Sequence, residues 1–299
     1  MQSTTDAQLV PASALPAPQP PVARGGGLII AQRVEGLSAV VTSGASSPLK
    51  LLVPKPRGRC VWAFASTFGG GMLAGDQVDL KLTVDDGANL LLGTQASTKI
   101  YRSGLREGDK PSPATQRIAA TVAAGASLLL LPDPVQPFAD SNYEQRQRVD
   151  LSSTGSLVLL DWLTSGRLAR GERWAMTRYL SRNEIFVDGR RIATDTLLLD
   201  DAFGDPIDAM HRMGRFDCFA TLMLVGPRVV DGAKIILDEL NNTPAPRRCS
   251  LLATASPLGD SGAIVRVLGA SSQDVSAFLR ERLTFVWEIS GEDPWNRKM

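Results

Sequence analysis

The feature that most constrains the fold is a β phrase that occurs three times between residues 76 and 162. Each copy has a short strand with alternating apolar residues, a glycine-containing turn, and a nearly continuous Leu/Val run. The turn glycines Gly87, Gly125 and Gly155 are 38 and then 30 residues apart. Such spacing is typical of architectures in which similar units stack. We therefore predict a mainly β chain rather than the strand–helix alternation of a Rossmann fold.

Two mainly β architectures accommodate the repeated phrase. One is an antiparallel sandwich built from similar hairpins, and the other is a β-helix-like stack of short strands and hairpins. The Asp188-Gly189 pair lies between two further apolar runs and predicts a tight hairpin in either architecture. The regular recurrence favours the stack, and the sandwich remains the alternative.

About two helices are expected, and one of them lies near the C-terminus. Residues 232–242 form a short helical segment that ends at Asn241 and Asn242. The second helix begins at Ser271, with Asp274 at the spacing of a capping box. Its apolar face contains Val275, Phe278, Leu279, Leu283 and Val286. This face must pack against the chain's own sheet or against a partner.

Composition divides the chain into two parts. Residues 1–24 are rich in Pro and Ala and lack apolar runs, which predicts a disordered leader. Residues 25–299 are predicted to form a single β-rich domain. The hydrophobic share of 43% is sufficient for a sizeable core in that domain.

Charge and cysteine usage exclude several classes of partner. The chain has 32 Lys and Arg against 31 Asp and Glu, so no general attraction to nucleic acid or to an anionic membrane is expected. No run of 18 apolar residues predicts a membrane span. Cys60, Cys218 and Cys249 are widely spaced and predict no disulfide framework, which fits a reducing, cytoplasmic location.

The chain contains one histidine, His211. A zinc site usually combines several His, Cys and carboxylate ligands, and a Ser-His-Asp triad needs a histidine of its own. We interpret His211 as a surface or loop residue. Ordinary hydrolytic and metal-dependent enzymes are therefore disfavoured.

A glycine-rich loop, TFGGGMLAGD, occupies residues 67–76. Gly69, Gly71 and Ala74 formally match the dinucleotide-binding pattern GxGxxG/A. That pattern requires a following helix whose N-terminus faces the pyrophosphate, whereas an alternating strand follows here. The dinucleotide interpretation is therefore rejected.

The same loop also fails as a phosphate-binding P-loop. Gly70 and Gly75 have the correct spacing, but Asp76 replaces the lysine that would contact phosphate. Glycines at 69, 70, 71 and 75 permit positive φ and close backbone approach. A plain turn with solvated acids and a loop that borders a channel or a partner both remain open.

A polar run follows the strand that contains Leu90–Leu92. If the strand continued, its side chains would alternate between the two faces, with Thr94, Ala96 and Thr98 on one face. Gln95, Ser97 and Lys99 would then lie on the other face. Buried hydroxyls and amides require partners or water, so the run predicts either a wet interior cavity or an exposed recognition edge.

Several phrases together resemble one family. They are GGGMLAGDQVDL, TQASTKIYRS, LPDPVQPFADSNYEQ and DWLTSGRLARGERW, followed near the C-terminus by IVRVLGASSQDVSAFLRERLTFVW. In this order they resemble the urease accessory proteins UreD, called UreH in some bacteria. The resemblance covers most of the chain outside the leader. Ala74 departs from the usual glycine, and the leader is not part of the pattern.

The resemblance implies a non-catalytic chaperone of urease maturation. Members of the family bind apo-urease and the accessory proteins UreF and UreG, of which UreG is a GTPase. Together they deliver Ni²⁺ to urease, and two copies of the chain are expected in the complex. The family fold is a β-helix-like stack with two helices, and an internal water-filled tunnel is its proposed nickel route.

The resemblance also nominates residues for a nickel path. Asp76, Ser97 and Thr98 match positions associated with the tunnel, and Thr94 and Gln95 belong to the same polar run. Carboxylate and hydroxyl oxygens would attract Ni²⁺ in transit without the tight binding of imidazole or thiolate. No tight metal site and no tightly bound cofactor are therefore expected.

Three further residues of this region carry open interpretations. Asp140 and Glu144 would line the tunnel mouth, face urease, or lie in a solvated loop. Lys99 would repel a cation unless it is paired or turned away. The sequence does not decide its orientation.

Three classes of function are therefore compared. A nucleotide-using enzyme predicts a lysine after Gly75 or a helix after Ala74, and a metal-storage or metal-sensing protein predicts His or Cys clusters. The sequence contains none of these features. The scaffold that assembles a nickel-delivery complex is the interpretation that survives.

Overall fold

The computed structural model describes residues 22–55, 59–103, 112–200, 202, 204, 206–244 and 248–296. They form two large β-sheets, a small third sheet and a layer of helices. The predicted leader lies outside the described residues except for its last three positions, so its disorder stays a prediction.

The sheets are named A, B and C. In spatial order, sheet A contains β15 (Arg190–Asp200), β14 (Arg178–Val187), β12 (Asn142–Leu151), β9 (Ala114–Val122), β6 (Gln77–Val84), β1 (Gly26–Val34) and β2 (Leu37–Ala45). Sheet B contains β17 (Leu251–Pro257), β18 (Gly262–Gly269), β16 (Cys218–Val225), β13 (Ser156–Thr164), β10 (Ser127–Leu130), β7 (Asn89–Thr94), β4 (Val61–Thr67) and β3 (Leu49–Leu52). Sheet C contains β11 (Gln136–Pro137), β8 (Lys99–Ile100) and β5 (Gly71–Met72).

The chain winds repeatedly through the three sheets. It passes from β6 in sheet A to β7 in sheet B and β8 in sheet C, and then repeats the circuit through β9, β10 and β11. Equivalent strands of successive circuits pair in parallel. The predicted β-helix-like stack is therefore confirmed. The sandwich alternative is wrong for the central strands, since antiparallel pairs occur only toward the edges of sheets A and B.

Each of the three predicted phrases contains the turn by which the chain passes from sheet A to sheet B. Because the strands pair in register, Leu90, Leu128 and Leu157 lie side by side in sheet B. All three are fully buried between sheets A and B. The predicted hairpin also forms, with positive φ at both Asp188 and Gly189 between β14 and β15.

A second hydrophobic layer explains the continuous Leu/Val runs. The helices α1 (Val230–Asn242), α2 (Ser272–Arg282) and the one-turn α3 (Trp287–Ser290) lie with the strands of sheet B in one core. Sheet B is thus buried on both faces, which removes the alternation that a half-exposed strand would show.

Both predicted helices form, but the second ends at Arg282, so Leu283 and Val286 of its predicted apolar face lie beyond it. The first helix ends at Asn242, and the Ser271 side chain accepts a hydrogen bond from the Asp274 N–H at the start of α2. Val275 and Leu279 of α2 are buried against the strands of sheet B. The apolar face of this helix therefore packs on the chain's own sheet.

A core substitution tests the stacked packing. Leu128→Ala removes a fully buried side chain between Leu90 and Leu157, so the free energy of unfolding should fall by about 2–5 kcal/mol. The control Leu37→Ala, at a side chain that is 58% exposed, should change it by less than about 1 kcal/mol. Urea unfolding measures both variants, and equal effects would contradict this packing.

Candidate functional site

A cavity of about 220 Å³, lined by both polar and apolar side chains, lies between sheets A and B. It is located where the strands of sheet B end and the chain turns toward sheet C. Its polar lining residues are Ser66, Thr67, Thr94, Gln95, Ser97, Thr98, Gln116, Asp133, Gln145, Gln147 and Asp161. Apolar side chains such as Leu80, Leu92 and Ile118 complete the wall. The same space between the sheets is therefore apolar along most of its length and polar at this end.

Strand alternation places the polar side chains inside. Along β12, Tyr143, Gln145, Gln147, Val149 and Leu151 all point between the sheets and are buried. The two glutamines lie toward the start of the strand, and the apolar residues lie toward its end. The cavity therefore continues the core with the same backbone pattern and different side chains.

Asp161 is the innermost acid of this cavity, and its residue is 7% exposed. Its Oδ1 accepts a hydrogen bond from Gln145 Nε2 at 3.1 Å. Its Oδ2 accepts from Asn183 Nδ2 at 2.8 Å and from the Ser181 hydroxyl. Burial raises the pKa of this carboxyl, although the three donors act in the opposite direction. The charge of Asp195, which lies opposite Asn183 on β15, raises the pKa of Asp161 further.

The hydrogen-bond network around Asp161 extends along β12 and β14 of sheet A. Gln147 Nε2 donates to Asn183 Oδ1 at 2.9 Å, and the Tyr143 hydroxyl donates to Gln145 Oε1 at 3.2 Å. Such contacts satisfy amide groups that would be costly to bury alone. Side chains that are held in this way give the cavity a defined polar wall.

Thr94 and Asp133 form a second polar pair at the corner between sheets B and C. The Thr94 hydroxyl donates to Asp133 Oδ2 at 3.0 Å, and the Asp133 N–H donates to Thr94 Oγ1 at 2.7 Å. The pair joins two successive circuits of the stack. It lies in the wall of the cavity.

The predicted polar run lies at the cavity. Thr94, Gln95, Ser97 and Thr98 all contribute to its lining. The condition of a continuing strand is not met, because β7 ends at Thr94 and residues 95–98 bend toward sheet C. The bend is what allows successive residues, instead of alternate ones, to face the same space.

Lys99 lies beyond the bend, at the start of β8. Lys99 is exposed and is not among the residues that line the cavity. The open question of its orientation is thereby answered, because its ammonium group is not part of the cavity wall.

The glycine-rich loop is a turn at the rim of the cavity. Gly69 and Gly70 have positive φ, and Gly70 contributes to the lining. A Cβ at Gly71 would lie 2.6 Å from the Lys99 carbonyl oxygen, so β5 can approach β8 only with glycine there. The strands β5 and β6 follow the glycines of this loop, and among the described residues no α-helix begins directly after it.

Gly75 and Asp76 close the same loop. Gly75 also has positive φ. The Asp76 carboxylate accepts a hydrogen bond from the Leu73 N–H at 2.8 Å, which stabilises the turn before β6. Asp76 itself is not among the lining residues.

Asp140 and Glu144 lie outside the cavity. Asp140 is in a turn with positive φ, and its exposed carboxylate is 3.7 Å from Arg102. Glu144 alternates with the inward residues of β12 and pairs with Arg146 at 2.6 Å and Arg178 at 3.7 Å. Both acids are thus engaged by arginines at the surface of the molecule.

The predicted set omits several side chains that the structure brings to the cavity. Gln145, Gln147 and Asp161 are the innermost of them, and Asp133 is also absent from the set. A signal for Asp161 is present in the sequence, since it is a lone acid in the otherwise apolar run SLVLLDWL of β13. Gln145 and Gln147 occupy the same alternating positions of β12 as Tyr143 and Val149, which point between the sheets.

A larger groove of about 970 Å³ lies on the other side of the Thr94–Asp133 corner. Its walls include Val53 directly after β3, Phe64 of β4, and Arg280 and Trp295 from the C-terminal segment. This groove is called the outer groove, and the cavity between sheets A and B is called the inner cavity.

Within the described ranges, no three His, Cys, Asp or Glu side chains are grouped so that they could hold a metal ion. The expectation that no tight site exists stays a prediction. His211 is exposed in a turn, as expected. Of the helices that the structure describes, none is long and apolar enough to cross a membrane.

Comparisons with known proteins agree on one family. The family model described as UreD urease accessory protein matches residues 25–297. The chain is 45% identical to a urease accessory protein UreD of an Anaeromyxobacter species over 282 residues, covering 94% of this chain and 92% of the relative.

Two further relatives extend this comparison. A urease accessory protein UreD of Sorangium cellulosum is 46% identical over 274 residues, covering 92% of this chain and 84% of the relative. A urease accessory protein D of Oryza sativa subsp. indica is 30% identical over 296 residues, with 90% of this chain and 94% of the relative covered. The similarity therefore extends across bacteria and plants.

The pH dependence of stability tests the buried carboxyl. Because the folded-state pKa of Asp161 is raised from its ordinary value of 3.8, its contribution to stability is fully present below that value and is lost as pH rises through the raised pKa. The unfolding free energy of the parent protein minus that of Asp161→Asn should therefore fall as pH increases from about 4. Each unit by which the pKa is raised corresponds to about 1.4 kcal/mol.

Thermal or urea unfolding of both proteins across this pH range provides the measurement. Asp150→Asn is the matched control, because Asp150 lies on the outer face of β12 and pairs with Arg148. A free-energy difference for Asp161→Asn that does not change with pH would contradict the raised pKa.

Proposed function

Because the chain belongs to the UreD urease accessory protein family, we propose that it is a non-catalytic chaperone of urease maturation. It holds UreF and the GTPase UreG on apo-urease and assists the delivery of Ni²⁺ to the urease active site. Two copies take part in the accessory complex, which works in the cytoplasm. The nickel ion is cargo in this process and not a resident cofactor.

The observation that supports a nickel path is the chemistry of the inner cavity. Its polar lining consists of hydroxyl, amide and carboxylate groups, and it includes no His or Cys side chain. Ni²⁺ binds imidazole and thiolate more tightly than the oxygen ligands of such a wall. The oxygen groups in the polar part of the wall therefore attract the ion and release it again, as delivery requires.

The buried carboxyl of Asp161 suits this role. Burial raises its pKa, which disfavours the charged form while the cavity holds no cation. An approaching cation favours the ionised form of a carboxyl. The cost of ionising this buried carboxyl therefore opposes its attraction for the ion, and this limits how tightly Asp161 retains the ion.

Asp76 contributes to the path by holding its rim. Its carboxylate accepts the Leu73 N–H within the loop that brings Gly70 to the cavity wall. Asp140 and Glu144, which lie at the surface near arginines, belong to the face that meets partner proteins.

The test of this function is reconstitution. The chain is combined with UreF, UreG and apo-urease, complexes are isolated by co-purification, and urease activity is measured after addition of Ni²⁺ and GTP. The expected result is a complex that contains this chain, with activation that depends on it. Activation of equal extent without the chain, together with no binding to any of the three proteins, would contradict the proposed function.

The role of Asp76 is tested separately. Asp76→Ala removes the acceptor for the Leu73 N–H, so the rim of the cavity should lose its shape, and nickel-dependent activation should fall severalfold while the complex still forms. Asp86→Ala, in the turn between β6 and β7, is a control for the loss of a loop acid. Normal activation with Asp76→Ala would exclude the rim role.

A further inference from the structure

The inner cavity and the outer groove meet at one corner of the stack. Six residues line both spaces: Thr94, Gln95, Ala96, Ser97, Asp133 and Trp162. They belong to the ends of three successive sheet B strands and to the bends that follow them. The two spaces are therefore separated by side chains and short bends, and not by a layer of hydrogen-bonded sheet.

We propose that this corner is a doorway for divalent cations and that Asp133 is its ion-selecting residue. The inference rests on the proposed nickel path and goes beyond it by naming where the ion enters the inner cavity and which group admits it. The ion passes from the outer groove, along Asp133 and Thr94, to the glutamines and Asp161 inside.

Asp133 is the one acid that lines both spaces among the described residues. Its hydrogen-bond partner is the neutral Thr94 hydroxyl, and no described Lys or Arg forms an ion pair with it. A carboxylate without a fixed cation nearby retains its attraction for an arriving cation. Position and charge thus both point to Asp133.

The other charged groups near the corner also favour the entry of a cation from the outer groove. Arg280 lines the outer groove, and its guanidinium lies 3.2 Å from the Asp293 carboxylate. That ion pair reduces the repulsion that Arg280 would otherwise exert on a cation in the groove. Asp161 provides the next carboxylate inside the cavity.

Thr94 holds the Asp133 carboxylate in place. The hydroxyl donates to Asp133 Oδ2 and accepts the Asp133 N–H, so the two residues close a small ring between neighbouring circuits. Of the two carboxylate oxygens, Oδ2 accepts the hydrogen bond from the Thr94 hydroxyl, and no described residue donates a hydrogen bond to Oδ1. The backbone geometry of the stack therefore sets the position of the selecting group.

Asp133→Asn tests the charge with almost no change in shape. In the reconstituted system, the complex should assemble as with the parent chain. The Ni²⁺ concentration for half-maximal urease activation should rise roughly tenfold, which corresponds to about 1.4 kcal/mol. The matched control Asp150→Asn, on the outer face of β12, should leave this concentration unchanged.

A second variant tests the doorway itself. Ala96→Trp places a large side chain among the residues that line both spaces and leaves Asp133 intact. The maximal extent of activation should fall, with the complex still formed. An unchanged half-maximal concentration with Asp133→Asn, or full activation with Ala96→Trp, would overturn the proposal.

A measurement on the full chain alone keeps the inference separate from the maturation assay. Aqueous Mn²⁺ is added to methyl-labelled protein, and paramagnetic broadening of the Ala96, Leu92 and Leu130 methyl signals is followed by NMR. The broadening should be severalfold weaker with Asp133→Asn than with the parent chain or Asp150→Asn. Equal broadening in all three proteins would overturn the role of Asp133, whatever the outcome of urease activation.

Discussion

The structure depends on the parallel, in-register pairing of successive circuits. This pairing brings Leu90, Leu128 and Leu157 side by side in the core between sheets A and B. It also brings Asn89, Ser127 and Ser156 into register at the starts of their strands. A shift by one residue would turn every one of these side chains to the opposite face, so the register is strongly specified.

Arg228 completes the polar edge of this stack. Its guanidinium donates to Asn89 Oδ1 at 2.7 Å and to Ser127 Oγ at 3.0 Å. The backbone N–H of Arg228 donates to Ser156 Oγ at 3.0 Å. Desolvation by partial burial lowers the pKa of this guanidinium. A residue from the segment before α1 thereby joins three circuits that are distant in sequence.

The opposite end of the same strands carries the inner cavity. A β-helix has room for a core because inward side chains from facing sheets meet, and here the inward positions change from Leu and Val to Gln and Asp. Burying Asp161 is costly, and three donors from the facing sheet A offset part of that cost. The cavity and the core are thus products of one backbone arrangement.

Much of the fold follows from patterns that are local in sequence. The turn glycines, the alternating strands, the Asp188–Gly189 hairpin and both longer helices could be predicted because each depends on neighbouring residues. The resemblance to known accessory proteins supplied the family, and the comparisons confirm it. Thr94, Gln95, Ser97 and Thr98 belong to one continuous polar run, in which the resemblance nominates Ser97 and Thr98, and all four line the cavity.

The rest of the candidate site depends on contacts between distant residues. Thr94 meets Asp133 across 39 positions, and Gln145 meets Ser181 across 36, because parallel circuits place equivalent positions side by side. The bend at residues 95–98 also has no strong local signal in the sequence.

The sequence by itself therefore determined the β texture, the stacking period and the family. Only the tertiary structure decided which polar side chains share the cavity, because that depends on how the circuits pair. It also left Asp76, Asp140 and Glu144 outside the cavity wall, since loop geometry and strand alternation, which composition does not encode, set the direction of each side chain.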